Sequence, residues 1–437
     1  MLSIHLRSLF TALDQVFPLA DGSLRPYIYL DNAASTPPFK AVTEVIYKFI
    51  PWYASVHRGM GLKSRVASEL YDHIHEEILR FAGGNLQTQT AILGKNTTEA
   101  INKVALRMPF KKDDIVIATL LEHHSNLLPW LKEAAVKKIK LDANGELDLN
   151  HLERLLKKYR GRVKLVAVTG ASNVTGIMPD IYQIARLAHC YHCQVLVDAA
   201  QLIPHRRIDI KNDDHPEHID FLAFSGHKMF APFGTGVLIG PKKFFRQGDP
   251  EYIGGGTVRF ILGDEIVYED LPDKEEAGSP NLLGALALWQ AIKIYEKIGY
   301  PAIMHHEHLL IKHTLQKLSV MPFVTIYGPL YDNPEKRVGV ISFNIAGIPH
   351  NLVAAILGYE AGIAVRSGCF CAQPYVSHLL RLSLAEIKNL QEKIKNKSQV
   401  NLPGMVRVSF GLFNTINEID HLIHWLEKIY DQNKKQP

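Results

Sequence analysis

A lysine closes a short apolar run in this sequence, at a place where water would reach it poorly. Phe221–Phe224 follow Asp220, and Ser225, Gly226, His227 and Lys228 come directly after them. An apolar run of this length, bounded by turn signals, suits a buried strand. A Gly/Pro-rich turn and a second apolar strand, Gly236–Ile239, lie beyond. An ammonium at the buried end of a strand is costly unless it is paired or neutral. Desolvation lowers an amine's pKa, and the neutral amine condenses with aldehydes. Upstream, a further strand, Gln194–Asp198, ends in a carboxylate and runs into Ala199, Ala200 and Gln201. Nearly all of the 49 Lys and Arg residues belong to solvated surface, so it is this context that singles out Lys228.

A carboxylate at one strand end beside a buried lysine at another is the pair that pyridoxal 5'-phosphate needs. The lysine holds the aldehyde, and the acid keeps the pyridine nitrogen protonated so that the ring takes up the electrons of a substrate carbanion. The elements that must position this pair alternate between strand and helix from residue 90 to 240. That alternation predicts a mainly parallel sheet covered by helices, with ligands at the carboxyl ends of its strands. The strand Thr90–Leu93 leads to Asn96, Thr97 and Thr98 at a helix start. Such a start is either an ordinary cap or an anion site. Asp114–Leu120 leads to His123 and His124, and Val163–Ala171 leads to Asn173. Positions 97, 123, 173, 198 and 228 thus fall one after another at strand ends.

The SGHK segment, preceded by VDAAQ, resembles the core of the class V aminotransferase family, and most closely its cysteine desulfurases of the sulfur-mobilisation (Suf) type. The resemblance runs from about Tyr29 to Tyr430. It implies an α/β chain of the pyridoxal-phosphate-dependent transferase fold type I. A large domain with a mainly parallel, seven-stranded-type sheet (29–295) would follow an N-terminal helical segment (1–28). A smaller α+β domain (296–437) would carry a helical insertion at about 378–403. The resemblance also implies roles. Thr97, Thr98, Ser225 and His227 would hold the cofactor phosphate, and Gln201 would reach the ring oxygen. Asn173 would lie near the ring hydroxyl and the substrate carboxylate. His123, first histidine of EHHSN, would stack on the ring and move protons. Ser279, in EAGSPN, would reach across a homodimer to the other copy's phosphate. YLDNAAST (29–36) would border the substrate pocket, with His57 and Arg58 near the active site.

Four cysteines fall in two close pairs, Cys190/Cys193 and Cys369/Cys371. Too few for a disulfide scaffold, they point to a reducing compartment. His189-Cys190-Tyr191-His192-Cys193 has metal-ligand residue types, but Cys193 abuts a buried strand, and the expectation is small buried thiols and no metal. The segment AVRSGCFCAQP places Cys371 five positions after Arg366, matching the family's sulfur-accepting cysteine. A nearby cation, with Arg366 the first candidate, would favour its thiolate. Cys369 departs from the Suf type, where histidine often stands, and the Cys-Phe-Cys also resembles the related molybdenum cofactor sulfurases. Those would need a larger acceptor or a further C-terminal domain, whereas this chain ends soon after Tyr430. Arg407, in VRVSFGLFNT, matches the arginine that grips a substrate carboxylate, a task suited to its fork geometry. The charged helical stretch between Cys371 and Arg407 reads as an insertion.

The net charge of +5 is mild and unclustered, which argues against nucleic acid. The N-terminal amphipathic stretch is broken by His5, Arg7 and Asp14, a poor leader, and no run approaches a membrane span. The reading is a cytoplasmic homodimer that converts L-cysteine to L-alanine with a persulfide on Cys371, feeding a sulfur-acceptor protein, as in iron–sulfur cluster assembly. One alternative keeps the fold and cofactor but acts as a C–S lyase, epimerase or aminotransferase on another amino acid. A second is a catalytically degenerate partner-binding protein.

Overall fold

The computed structural model describes residues 6–57, 59–331, 333–397 and 400–434. Arg58, expected near the site, lies outside them. Seven strands form the central sheet: β1 (Gln89–Gly94), β2 (Ile115–Thr119), β3 (Ala135–Ile139), β4 (Val163–Thr169), β5 (Gln194–Asp198), β6 (Phe221–Ser225) and β7 (Gly236–Pro241). Their order is β1-β7-β6-β5-β4-β2-β3. β7 pairs antiparallel with both neighbours, and the remaining pairs are parallel. Strands covered on both faces carry near-continuous apolar runs. Accordingly β2 (IVIAT) and β6 (FLAFS) are buried along their whole length.

Helices cover both faces. Leu62–Phe81 buries Ala67, Ile74, Ile78 and Leu79 against one of them. Full burial of such an aliphatic side chain contributes about 1.5–3 kcal/mol. Thr97–Arg107 covers the other face with Ile101 and Val104. Its N-terminus can crowd β7 because Gly236 has no side chain: a Cβ there would lie 2.4 Å from the Asn96 backbone.

The long helix Leu282–Ile298 leads into the second domain. There β8 (Val324–Tyr327), β9 (Val340–Ile345), β10 (Arg366–Gly368) and β11 (Met405–Ser409) form an antiparallel sheet in the order β8-β9-β11-β10. Ile28–Tyr29 pairs with Ile363–Ala364 and brings the start of the chain onto this domain. A separate apolar cluster, containing Leu121, Val174, Phe370, Tyr375 and Met405, joins the two domains beneath the site.

Of the helical segment expected over 1–28, Leu6 and Arg7 are helical and residues 1–5 lie outside the described residues, but the later part is not a helix. Val16–Pro18 and Leu24–Pro26 pair as an antiparallel hairpin. Its turn holds Gly22 at φ +79°, and the Asp21 carboxylate accepts the Ser23 N–H at 2.9 Å. Pro18 and Pro26 also lack the N–H that a continued helix needs. Within 378–403, Leu384–Lys395 is a helix opened by a Ser383/Glu386 capping box, and none of its residues is buried. Among the described residues, no helix is long and apolar enough to cross a membrane.

Candidate active site

The strand order turns back between β2 and β4, so the loops that follow these strands part and leave a crevice. Thr97 and Thr98 follow β1, His123 follows β2, Asn173 follows β4, Asp198 and Gln201 end β5, and Ser225, His227 and Lys228 end β6. All of them line one cavity, closed from the second domain by Arg366, Phe370, Cys371 and Arg407. Ala33 and Ala34 of the YLDNAAST segment line it too. Ser279, assigned to the other copy's phosphate, stands apart: it is exposed and outside this lining. His57 also lies elsewhere, its ring paired with Asp72 at 2.9 Å and near Asp273 at 3.7 Å.

Burial raises the pKa of the Asp198 carboxyl, against the Ala200 N–H it accepts at 3.0 Å and the charge of Lys228. Burial pulls the Lys228 amine down to about 8. Asp198 opposes that shift and Arg407 adds to it. The His123 imidazole falls to about 3, chiefly through burial and then through Lys228. It is therefore neutral at physiological pH. The Ser125 N–H donates to its Nδ1 at 3.1 Å, which leaves the ring proton on Nε2. Burial likewise brings His227 down to about 4, with Lys228 adding to the effect.

At the mouth of the Thr97–Arg107 helix, the Thr97 N–H donates to Ser225 Oγ at 2.8 Å, and the two hydroxyls lie 2.6 Å apart. Thr98 and Ser125 share a hydroxyl hydrogen bond at 2.7 Å. Converging hydroxyls at a helix N-terminus suit a phosphate.

Across the cavity, Arg407 is buried. Its Nη2 donates to Asp31 at 3.0 Å and its Nη1 to the Asn173 carbonyl at 2.9 Å. Its guanidinium lies 4.9 Å from the Phe370 ring centroid. Arg366 is more exposed and approaches the other Asp31 oxygen at 3.6 Å. Cys371 is an exposed free thiol. It lines the same cavity as Lys228 and Arg407. Cys369, two residues earlier, packs instead against the interdomain apolar cluster.

Three residues of this architecture carried no role from sequence. Asp31 holds both arginines. Glu122 is buried, and burial pushes its carboxyl up to about 8 although three groups donate to it. Those donors are the Thr119 hydroxyl (2.6 Å), the Thr169 N–H (2.9 Å) and the Asn126 amide (2.6 Å). Glu122 thereby ties the ends of β2 and β4 to the histidine turn. An acid lodged at the end of an apolar strand and directly before two histidines was the available signal. The third is His124.

The Cys190–Cys193 segment lies outside this cavity's lining, and Cys190 is exposed, against the expectation of two buried thiols. Cys193 is buried and donates to the Val163 carbonyl at 3.3 Å, and burial pushes its thiol up to about 12. Among the described residues, His189, His218 and Asp220 form the one grouping of metal-ligand atoms. The two imidazoles stack at 4.0 Å with planes only 11° apart, so their in-plane lone pairs run side by side and do not converge on one ion.

These residues fit pyridoxal 5'-phosphate. An acid, an amine, a neutral imidazole and a hydroxyl-lined helix N-terminus face one space. Two buried polar atoms of lining residues, Gln201 Oε1 and Arg407 Nε, have no hydrogen-bond partner among the described residues, which suits a polar aromatic ligand and a substrate carboxylate.

The family model for aminotransferase class-V matches residues 28–422. A probable cysteine desulfurase of Halalkalibacterium halodurans is 34% identical over 433 residues, covering 97% of each chain. One of Pyrococcus abyssi is 36% identical over 411 residues, covering 92% of this chain and 94% of the relative. Among solved structures, the apo cysteine desulfurase of Thermococcus onnurineus superposes with a TM-score of 0.81 at 33% identity, over 93% of this chain and 95% of the other.

Proposed function

This chain belongs to the class V aminotransferase family, and from that premise we propose how its residues carry out the work of a pyridoxal-phosphate-dependent cysteine desulfurase. When bound, the cofactor supplies an electron sink for the pair left at the substrate's α-carbon. Asp198 would hold the pyridine nitrogen and supply the charge that keeps it protonated. Thr97, Thr98, Ser225 and His227 would hold the phosphate, Gln201 and Asn173 the ring oxygen, and neutral His123 would contact the ring. Arg407, with Arg366 beside it, takes the substrate carboxylate. Lys228, with its pKa near 8, moves the proton at the α-carbon.

Cys371 then attacks the sulfur of L-cysteine. A sulfur–sulfur bond forms as the substrate's carbon–sulfur bond breaks, leaving a persulfide on Cys371. The electron pair of the broken bond stays with the carbon fragment, which takes up protons and leaves as L-alanine. The persulfide passes to a thiol of an acceptor. One observation carries this reading: Cys371 and Lys228 line the same cavity.

A homodimer is part of the proposal. The exposed Ser279 would serve a second copy's phosphate. The neighbouring hairpin Val258–Leu262/Glu265–Tyr268 exposes Phe260, Ile261 and Leu262, which a second copy would cover. All four cysteines are free, in keeping with the reducing cytoplasm that thiolate chemistry needs.

The test is product analysis with L-cysteine. The native enzyme should give equal alanine and thiol-released sulfide, and Cys371→Ala should lose both. Pyruvate and ammonia, unaffected by the substitution, would instead make the protein a C–S lyase.

A further inference from the structure

We propose that His124 is a positioning residue for sulfur transfer: its imidazole pins the loop that carries Cys371, so the thiol meets substrate from a fixed backbone. The inference rests on the desulfurase reading above. Phe370 and Cys371 are consecutive L residues at φ +53° and +55°. Side-chain-bearing residues keep such conformations only where their surroundings enforce them. The enforcement comes from across the cavity. The Asn173 side-chain amide donates to the Phe370 carbonyl at 2.7 Å, and the backbone N–H of His124, which any substitution there retains, donates to the Cys371 carbonyl at 2.6 Å. The Gln373 N–H donates to His124 Nε2 at 3.1 Å.

That last bond has a particular place. Gln373 opens the helix Gln373–Leu379, whose N-cap, Ala372, offers no side-chain acceptor. First-turn N–H groups need an outside partner, and His124 provides one. Burial lowers the His124 pKa, which favours the neutral ring with its accepting lone pair. One turn therefore does two jobs. His123 lines the cavity, while its neighbour grips both sides of Cys371, at the Cys371 carbonyl and at the Gln373 amide. A loop held this way does not carry the persulfide outward by swinging, and the acceptor thiol must come to the cavity.

The test compares holoenzymes bearing His124→Ala and His124→Gln, whose amide oxygen can accept the same N–H. In His124→Ala, kcat for alanine formation should fall about tenfold as the attacking thiol loses its alignment. KM for L-cysteine and the visible cofactor band should hold. Amide exchange in the segment 370–379 should speed up, and His124→Gln should restore both rate and protection. Should His124→Ala not stay folded, His124→Leu fills the volume without an acceptor and is read in the same way. Lost protection with unchanged kcat would make His124 a helix cap and nothing more. Unchanged protection would mean that the loop does not depend on it. Either result overturns the proposal. Cys371→Ala, run alongside, tests the underlying reading separately: alanine formation persisting there would remove Cys371 from the chemistry whatever His124 does.

Discussion

The two walls of the cavity are built by different means. On the large-domain wall, each group stands at or just past the end of a buried strand. Asp198 is the last residue of β5, and Lys228 lies three residues past β6. Their placement follows from the sheet itself. On the opposite wall, β10 has only three residues, two left-handed residues follow it, and Arg407 comes from a different strand. That wall is held by groups reaching across: Asn173 to Phe370, His124 to Cys371 and Gln373, and Arg407 back to the Asn173 carbonyl. The difference matches two tasks. Proton transfer at carbon wants charges fixed in a dry, rigid frame. Sulfur transfer needs a thiol that an outside partner can reach, and Cys371 is accordingly exposed.

If the walls are separable in this sense, Asp198→Asn should disable one and spare the other. The substitution keeps the volume but removes the charge proposed to hold the pyridine nitrogen. A loss of about 10²–10³ in kcat for alanine formation is expected. The rate at which iodoacetamide labels Cys371 in the same holoenzyme should stay within about twofold, because surroundings set thiol reactivity and those of the thiol are unchanged. A matching fall in labelling would show that the walls act as one unit.

The same division governs what could be read from the sequence. β5 spans Gln194–Asp198, the stretch expected from its apolar run. Strand-end residues were therefore legible: a short apolar run fixes where the strand stops, and the polar residue after it must face the crevice. The opposite wall was legible only where a motif stood in for geometry, as at Cys371 and Arg407. Asp31 meets Arg407 across 376 positions of chain, a pairing that no local pattern announces. His124 was noticed as one of a histidine pair, but its partner amide lies 249 positions away. The hairpin at residues 16–26 was missed because an amphipathic reading passed over the Asp21-Gly22 turn.

A pH experiment sharpens the large-domain side of the comparison. Burial places the Lys228 amine at about 8, below the usual lysine value. Below that pH the ammonium dominates, and the fraction of free amine falls about tenfold for each unit of acidification. Cofactor reloading of apoenzyme, followed by its visible band, should therefore slow by about tenfold per unit below pH 8 and level off above it, provided the free amine is the reacting form. Persistence of the slope to pH 10 would mean that Lys228 keeps an ordinary lysine pKa and is not desolvated.

Arg366 tests the exposed wall, and the smallest effect is expected there. Its side chain is 57% exposed and its contact with Asp31 is 3.6 Å, whereas that of Arg407 is 3% exposed with a 3.0 Å bond to the same carboxylate. An exposed ion pair is screened by water and contributes little, while the buried arginine has no solvent to replace its partner. Arg366→Gln should thus raise KM for L-cysteine by about two- to fivefold, the range of an exposed charge contact. Leaving kcat unchanged would place Arg366 in substrate capture alone. A fall in kcat with KM held would instead place it in the step where the thiol attacks. The sulfur-side wall would then contain a second charge needed at Cys371, and the contrast between a rigid catalytic floor and a loosely charged mouth would have to be redrawn around Arg366.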